Sequence, residues 1–215
     1  MTDMPSLDPN PFLKPIYSEK GDYDSPSIAR IKGYALSQWE HAEQTLCTMF
    51  SILVRPTGGT LVSDRAFGSL FSSGGRRELV LGAAEAYFAL LTHQAPEDIE
   101  RKAEELLAKL KRHIRLFGEA AHRRDEIAHG VIMGMAMDRG GKFLYFLVPA
   151  LYASKKYEAG ISPPPFIRST YRMNFADLDH MSKLFDALGS RTAEINREIS
   201  NFYQSLPETL RARHP

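Results

Sequence analysis

The sequence predicts a mainly α protein, a helical bundle of four principal helices with one inserted β-hairpin. Three observations carry this. Apolar residues recur at steps of three and four along Ile28, Ile31, Ala35, Trp39, Ala42, Leu46, Met49 and Leu53, the period of one buried helix face. The same pattern returns in a segment opened by Pro96-Glu97-Asp98 and in a segment after Asn174, and Glu78 to Thr92 adds a helix that is apolar nearly all round. It breaks between Val131 and Pro149, where two short apolar runs flank Arg139-Gly140-Gly141-Lys142, the signature of a hairpin.

A chain of 215 residues suits one domain with attachments and can bury a core without staples. Its 27 basic and 26 acidic side chains leave a net charge of +1, so no global field attracts nucleic acid or membrane, and a nucleic-acid site has to be a local patch. Cys47 stands alone, which excludes an internal disulfide and a cysteine-based metal site and points to the reducing cytoplasm. Residues 1–15 have no charged-then-apolar leader pattern, and the longest nearly apolar run, Leu79 to Leu91, contains Glu85 and is too short to cross a bilayer.

Taken in order, residues 1–25 hold Pro5, Pro9, Pro11 and Pro15 among acids and read as an extended or disordered arm, with Phe12, Leu13, Ile16 and Tyr17 able to dock. Residues 26–206 form the helical domain. Ser25-Pro26 opens its first helix, and Pro56-Thr57-Gly58-Gly59 breaks it. A short helix is expected around Asp64 to Leu70, then a linker with Ser72, Ser73, Gly74 and Gly75. The Glu78 to Thr92 helix is apolar nearly all round, so Glu85 is expected in a buried salt bridge with Arg76, Arg77 or the Arg124 cluster. His93 and His113 read as surface or cap residues. The hairpin occupies about 131–149, followed by a Pro-rich loop at about 153–170 with Lys155, Lys156, Arg168 and Pro163-Pro164-Pro165. Asn174 caps the last helix, which Pro207 ends, and 207–215 form a tail.

The third long helix is polarised. From Lys109 to Arg124 it has six bases against one acid, a run longer than complementarity to the helix dipole requires, so Arg112, Arg115, His122 and Arg123 are candidate RNA-phosphate contacts. It closes on Glu119-Ala-Ala-His122-Arg123-Arg124-Asp125-Glu126-Ile127-Ala128-His129-Gly130, the densest group of chemically able side chains in the chain. Asp125 falls where the apolar stripe is due another buried residue, so a partner is expected for it, Arg124 or His129.

Arg124-Asp125-Glu126-Ile127-Ala128-His129, followed by Gly130, resembles the signature of the HEPN superfamily: an Arg, a polar residue, three further residues, then His. HEPN domains are small helical bundles, and many resemble metal-independent ribonucleases. The resemblance implies a HEPN-like bundle and a homodimer with facing motifs. It implies an RNA substrate, no cofactor, and, for a stress or defence protein, an antitoxin-like partner. His129 is then the acid or base, Arg124 the phosphate contact and transition-state cation, and Asp125 the residue that orients the imidazole. On an unbroken helix, residues five apart point about 140° away from each other, so Arg124 and His129 need a bend, a wrapping arginine or a second copy.

Two other readings compete. In the first, Arg124, Asp125 and His129 form an ion-pair and cap network in a non-catalytic interaction module. In the second, Glu119-x-x-His122 and Glu126-x-x-His129 join Glu40, Glu43 and Glu85 in a di-metal site. That needs the two pairs on different helices, whereas here they follow each other on one.

Overall fold

The computed structural model describes residues 5–55, 59–93, 95–137, 140–150, 157–159 and 167–211. Its helices are α1 (Ser25–Val54), α2 (Leu61–Gly68), α3 (Ser73–Thr92), α4 (Glu97–His129), α5 (Phe175–Ser205) and α6 (Glu208–Arg211). Its strands are β1 (Gly130–Met137), β2 (Phe143–Pro149), β3 (Tyr157–Ala159) and β4 (Ile167–Ser169). The fold is mainly helical with a small antiparallel hairpin, as the periodicities require. The chain divides into two compact units, residues up to Glu40 with Glu119–Ala187, and His41–Gly118 with Leu188 onward.

In the first unit, β1 and β2 pair antiparallel from Gly130↔Pro149 to Met137↔Phe143, with the register shifting between Gly134 and Ala136. Phe146, Leu147 and Val148 are fully buried, while Val131, Met135 and Phe143 are exposed. Leu147 and Met173 exchange backbone hydrogen bonds of 2.8 and 3.0 Å, which satisfies part of the outer edge of β2. Asp138, Arg139 and the residues of the Pro-rich loop up to Lys156 and from Gly160 to Phe166, which include Pro163-Pro164-Pro165, lie outside the described residues. Within that loop β3 and β4 pair from Tyr157↔Ser169 to Ala159↔Ile167, a short ladder its composition does not announce.

The described part of the N-terminal arm has no helix and is docked. Phe12 is fully buried and stacks on Phe185 at 6.1 Å, and Phe185 meets Trp39 edge-on at 5.4 Å. Ser18 and Ile16 hydrogen-bond the backbone of Arg172 on both sides, and Asp22 and Tyr145 exchange backbone bonds. Gly21 permits this path, since a Cβ there would lie 2.6 Å from the Phe146 ring. Asn174 does cap α5: its side chain accepts from the Asp177 amide at 2.9 Å, and Asp177 accepts from the Asn174 amide at 2.9 Å, a reciprocal capping box.

In the second unit, α3 starts at Ser73, five residues before the expected Glu78. Ser72 caps it by accepting from the Gly75 amide at 3.0 Å, so the serine-glycine stretch is the helix start and not a linker. Arg76 pairs with buried Glu43, which also accepts from Ser73 at 2.7 Å. Glu85 is corrected by the structure: it is half exposed and pairs with Lys111 at 2.7 Å, because α3 is buried only along Val80, Ala84, Tyr87, Phe88 and Leu91. The C-terminal stretch adds one turn, α6, with Leu210 buried; residues 212–215 lie outside the described residues.

His113 is also corrected, from surface to core. It is 5% exposed, and its Nε2 lies 2.8 Å from Thr192 Oγ1. The Thr192 hydroxyl donates its one proton to Leu188 O at 2.8 Å, so the His113 ring donates to Thr192 through Nε2–H. Burial, then the charges of Arg191 and Lys109, push its pKa down to about 4. The unfolded chain therefore binds one more proton between about pH 4 and the ordinary histidine value of 6.5, and stability rises with pH across that window. Urea unfolding at steps from pH 7 to pH 4 should show a loss of about 3 kcal/mol attributable to this group, and His113→Gln should flatten that part of the profile.

Candidate functional site

Helix α4 ends in a turn into β1, and the first unit closes that junction with two side-chain donors and a glycine. Tyr171 Oη donates to Glu126 O at 2.9 Å. Lys32 Nζ donates to Gly130 O at 2.8 Å. Gly130 itself is buried, and a Cβ on it would lie 2.8 Å from both Glu126 O and Leu147 Cγ, so the helix-to-strand junction is closed only around a glycine.

This closure sorts the polar residues of Glu119–His129. Ala120, Ala121, Arg123, Glu126 and Ile127 are buried, whereas His122, Asp125 and His129 are exposed at steps of three and four, forming one outward stripe. The expected place of Asp125 on the buried face is therefore corrected. The buried arc here centres on Ala120, Arg123 and Ile127, and Asp125 lies two residues, or about 200°, round from Arg123. Arg123, expected to contact RNA, is instead buried, with Nη1 2.8 Å from Oε2 of buried Glu126.

Arg124 is half-buried. Its guanidinium lies 5.3 Å from the ring centroid of fully buried Trp39, and Nη1 is 3.3 Å from Asp125 Oδ1. His129 is the last residue of α4. Its ring makes no hydrogen bond or ion pair among the described residues, so Asp125 does not hold it. The structure thus brings Arg124 to Asp125 and Arg123 to Glu126, and leaves His129 and His122 facing outward. Arg112 and Arg115 are exposed and belong to the second unit.

Lys32 is the residue that sequence reasoning missed. In this unit α1 runs antiparallel to the end of α4: Lys32 meets Gly130, and Trp39, seven residues on, lies under Arg124. Burial pulls the Lys32 pKa down. Its signal was present, because Lys32 falls four residues after Ile28 and three before Ala35, inside an apolar arc.

Among the described residues no group of three or more His, Cys, Asp and Glu side chains is placed to hold a metal ion. Three of the five carboxylates expected for one are engaged elsewhere: Glu126 with Arg123, Glu43 with Arg76, Glu85 with Lys111. Comparison of the chain with family models, with curated proteins and with solved structures finds no match in any of the three.

The division between structural and outward-facing bases can be measured. Arg123→Met removes the cation beside a buried carboxylate and should cost about 3 kcal/mol or more in urea unfolding. Arg115→Ala should stay within about 0.5 kcal/mol of the parent protein.

Proposed function

We propose that the chain is a HEPN-like ribonuclease that cleaves RNA without a metal. The observation that carries this reading is His129: within the motif it is an outward-facing imidazole that makes no hydrogen bond or ion pair among the described residues, beside an Arg124 and a Glu126 that are both engaged. In the reaction, a base takes the proton of a ribose 2′-OH and the 2′-oxygen bonds to the adjacent phosphorus. The bond to the 5′-oxygen breaks, and an acid protonates that oxygen. The products are a 2′,3′-cyclic phosphate and a 5′-OH. An imidazole suits either proton transfer near neutral pH.

Arg124 lies over Trp39, and five residues along an unbroken helix place His129 about 140° away. The reading therefore builds the complete site across a homodimer, where His129 of the partner subunit supplies the second proton transfer. A stress or defence role, an antitoxin-like partner and a cytoplasmic location belong to the same reading. The contact of Arg124 with Trp39 and Asp125 favours a second reading, a non-catalytic interaction module in which the motif arginine is structural.

The test is cleavage of a mixed-sequence RNA in excess EDTA. The ribonuclease reading expects cyclic-phosphate ends and a loss of about a hundredfold or more in His129→Ala and Arg124→Ala, with melting checked for both variants. A folded protein that leaves RNA intact, or a His129→Ala variant as active as the parent, supports the module instead.

A further inference from the structure

We infer that Phe12 of the N-terminal arm is a positioning residue for Arg124, acting through Phe185 and Trp39. Its effect on catalysis rests on the ribonuclease reading, while the coupling of the arm to Arg124 does not.

Four segments of the first unit meet in one row of side chains. Phe12 comes from the arm, Phe185 from α5, Trp39 from α1 and Arg124 from α4. The rings of Phe12 and Phe185 stack at 6.1 Å with 9° between their planes, and Phe185 meets Trp39 at 5.4 Å and 74°. The row ends on the Arg124 guanidinium, 5.3 Å from the Trp39 centroid. Phe12, Phe185 and Trp39 are each 0% exposed, and a close-packed interior passes a displacement on instead of absorbing it. The arm supplies the first member of this row through one anchor. Phe12 is the one fully buried side chain among the described residues of the arm, and Leu13 and Pro15 beside it are exposed. Asn10 Oδ1 accepts from the Phe12 amide at 2.9 Å, an Asx turn that aims the ring inward.

The consequence for Arg124 follows from the shape of its head group. A guanidinium held by its face against a ring carries its N–H donors in the plane of the fork, and that edge is what grips phosphate oxygens. The tilt of the Trp39 ring therefore sets the direction in which Arg124 donates. Without the Phe12 ring a void opens beside Phe185, Phe185 and Trp39 relax towards it, and the plane of Arg124 changes.

The experiment uses the isotope-labelled full chain. Trp39 is the only tryptophan, so its indole N–H gives one NMR resonance, and Arg124 Nε–H is assigned by its loss in Arg124→Lys. Phe12→Ala is expected to shift both signals, and Phe12→Leu, which refills most of the void, to return them most of the way to the parent positions. Ser18→Ala loosens the arm elsewhere, at its bond to Asp177, and is expected to leave both signals in place. For RNA cleavage in excess EDTA, Phe12→Ala should lower kcat about tenfold with KM little changed. Its combination with Arg124→Ala should be no slower than Arg124→Ala alone. An Arg124 signal that is unmoved in folded Phe12→Ala, or moved as far by Ser18→Ala, overturns the inference, and so do losses of rate that multiply in the double variant. If Phe12→Ala does not fold, Phe12→Leu carries the same test through a smaller shift of both signals, and unmoved signals there overturn the inference equally. A parent protein that leaves RNA intact while Phe12→Ala moves the Arg124 signal upholds the coupling and overturns the ribonuclease reading alone.

Discussion

A helix of 33 residues has to stop, and how α4 stops governs the first unit. Left open, its final carbonyls would be buried without donors, a cost comparable to losing several hydrogen bonds. Tyr171, 45 residues away in the chain, donates to Glu126 O in its last turn, and Lys32, 98 residues away, donates to Gly130 O at the start of β1. Leu147 closes over Gly130, where a side chain would collide. Because Gly130 is both the end of this closure and the start of β1, the same contacts set the register of the hairpin at Gly130↔Pro149. Helix end, hairpin and the first part of α1 are thus tied at one point.

That constraint decides what each motif residue is free to do. Arg123 and Glu126 face inward and are paired, and Arg124 lies along Trp39. His122, Asp125 and His129 face outward. A run of charge that looks uniform in one dimension is divided by helical phase into cations that hold the fold and an imidazole that can meet a ligand. The chemistry proposed for the chain depends on that division.

Much of the architecture was legible. The stripes of α1 and α5, the hairpin around its glycines and the capping by Asn174 all express local periodicity and local hydrogen bonding, which a sequence displays directly. What was not legible depends on tertiary partners. A stripe of constant phase puts Asp125 inward, whereas the buried arc is set by what packs against the last turns of α4. The apolar neighbours of Glu85 suggest burial, yet α3 is covered on one side only. His113 carries no local sign of its pairing with Thr192, 79 residues away. The arm looks disordered by its prolines, and it is held by backbone bonds to Arg172 and Tyr145 that composition does not record. At the candidate site, the motif itself was visible, but the roles of Lys32 and Trp39 required a neighbouring helix.

His129 lies outside the closure of α4, whereas the structural His113 lies within the fold. Diethyl pyrocarbonate modification of the native protein at neutral pH, mapped by mass spectrometry, tests this directly. His129 is expected to react at a rate comparable to the exposed His93 and His180, with His113 unreactive until the protein is unfolded. A His129 as protected as His113 in the native protein would contradict it.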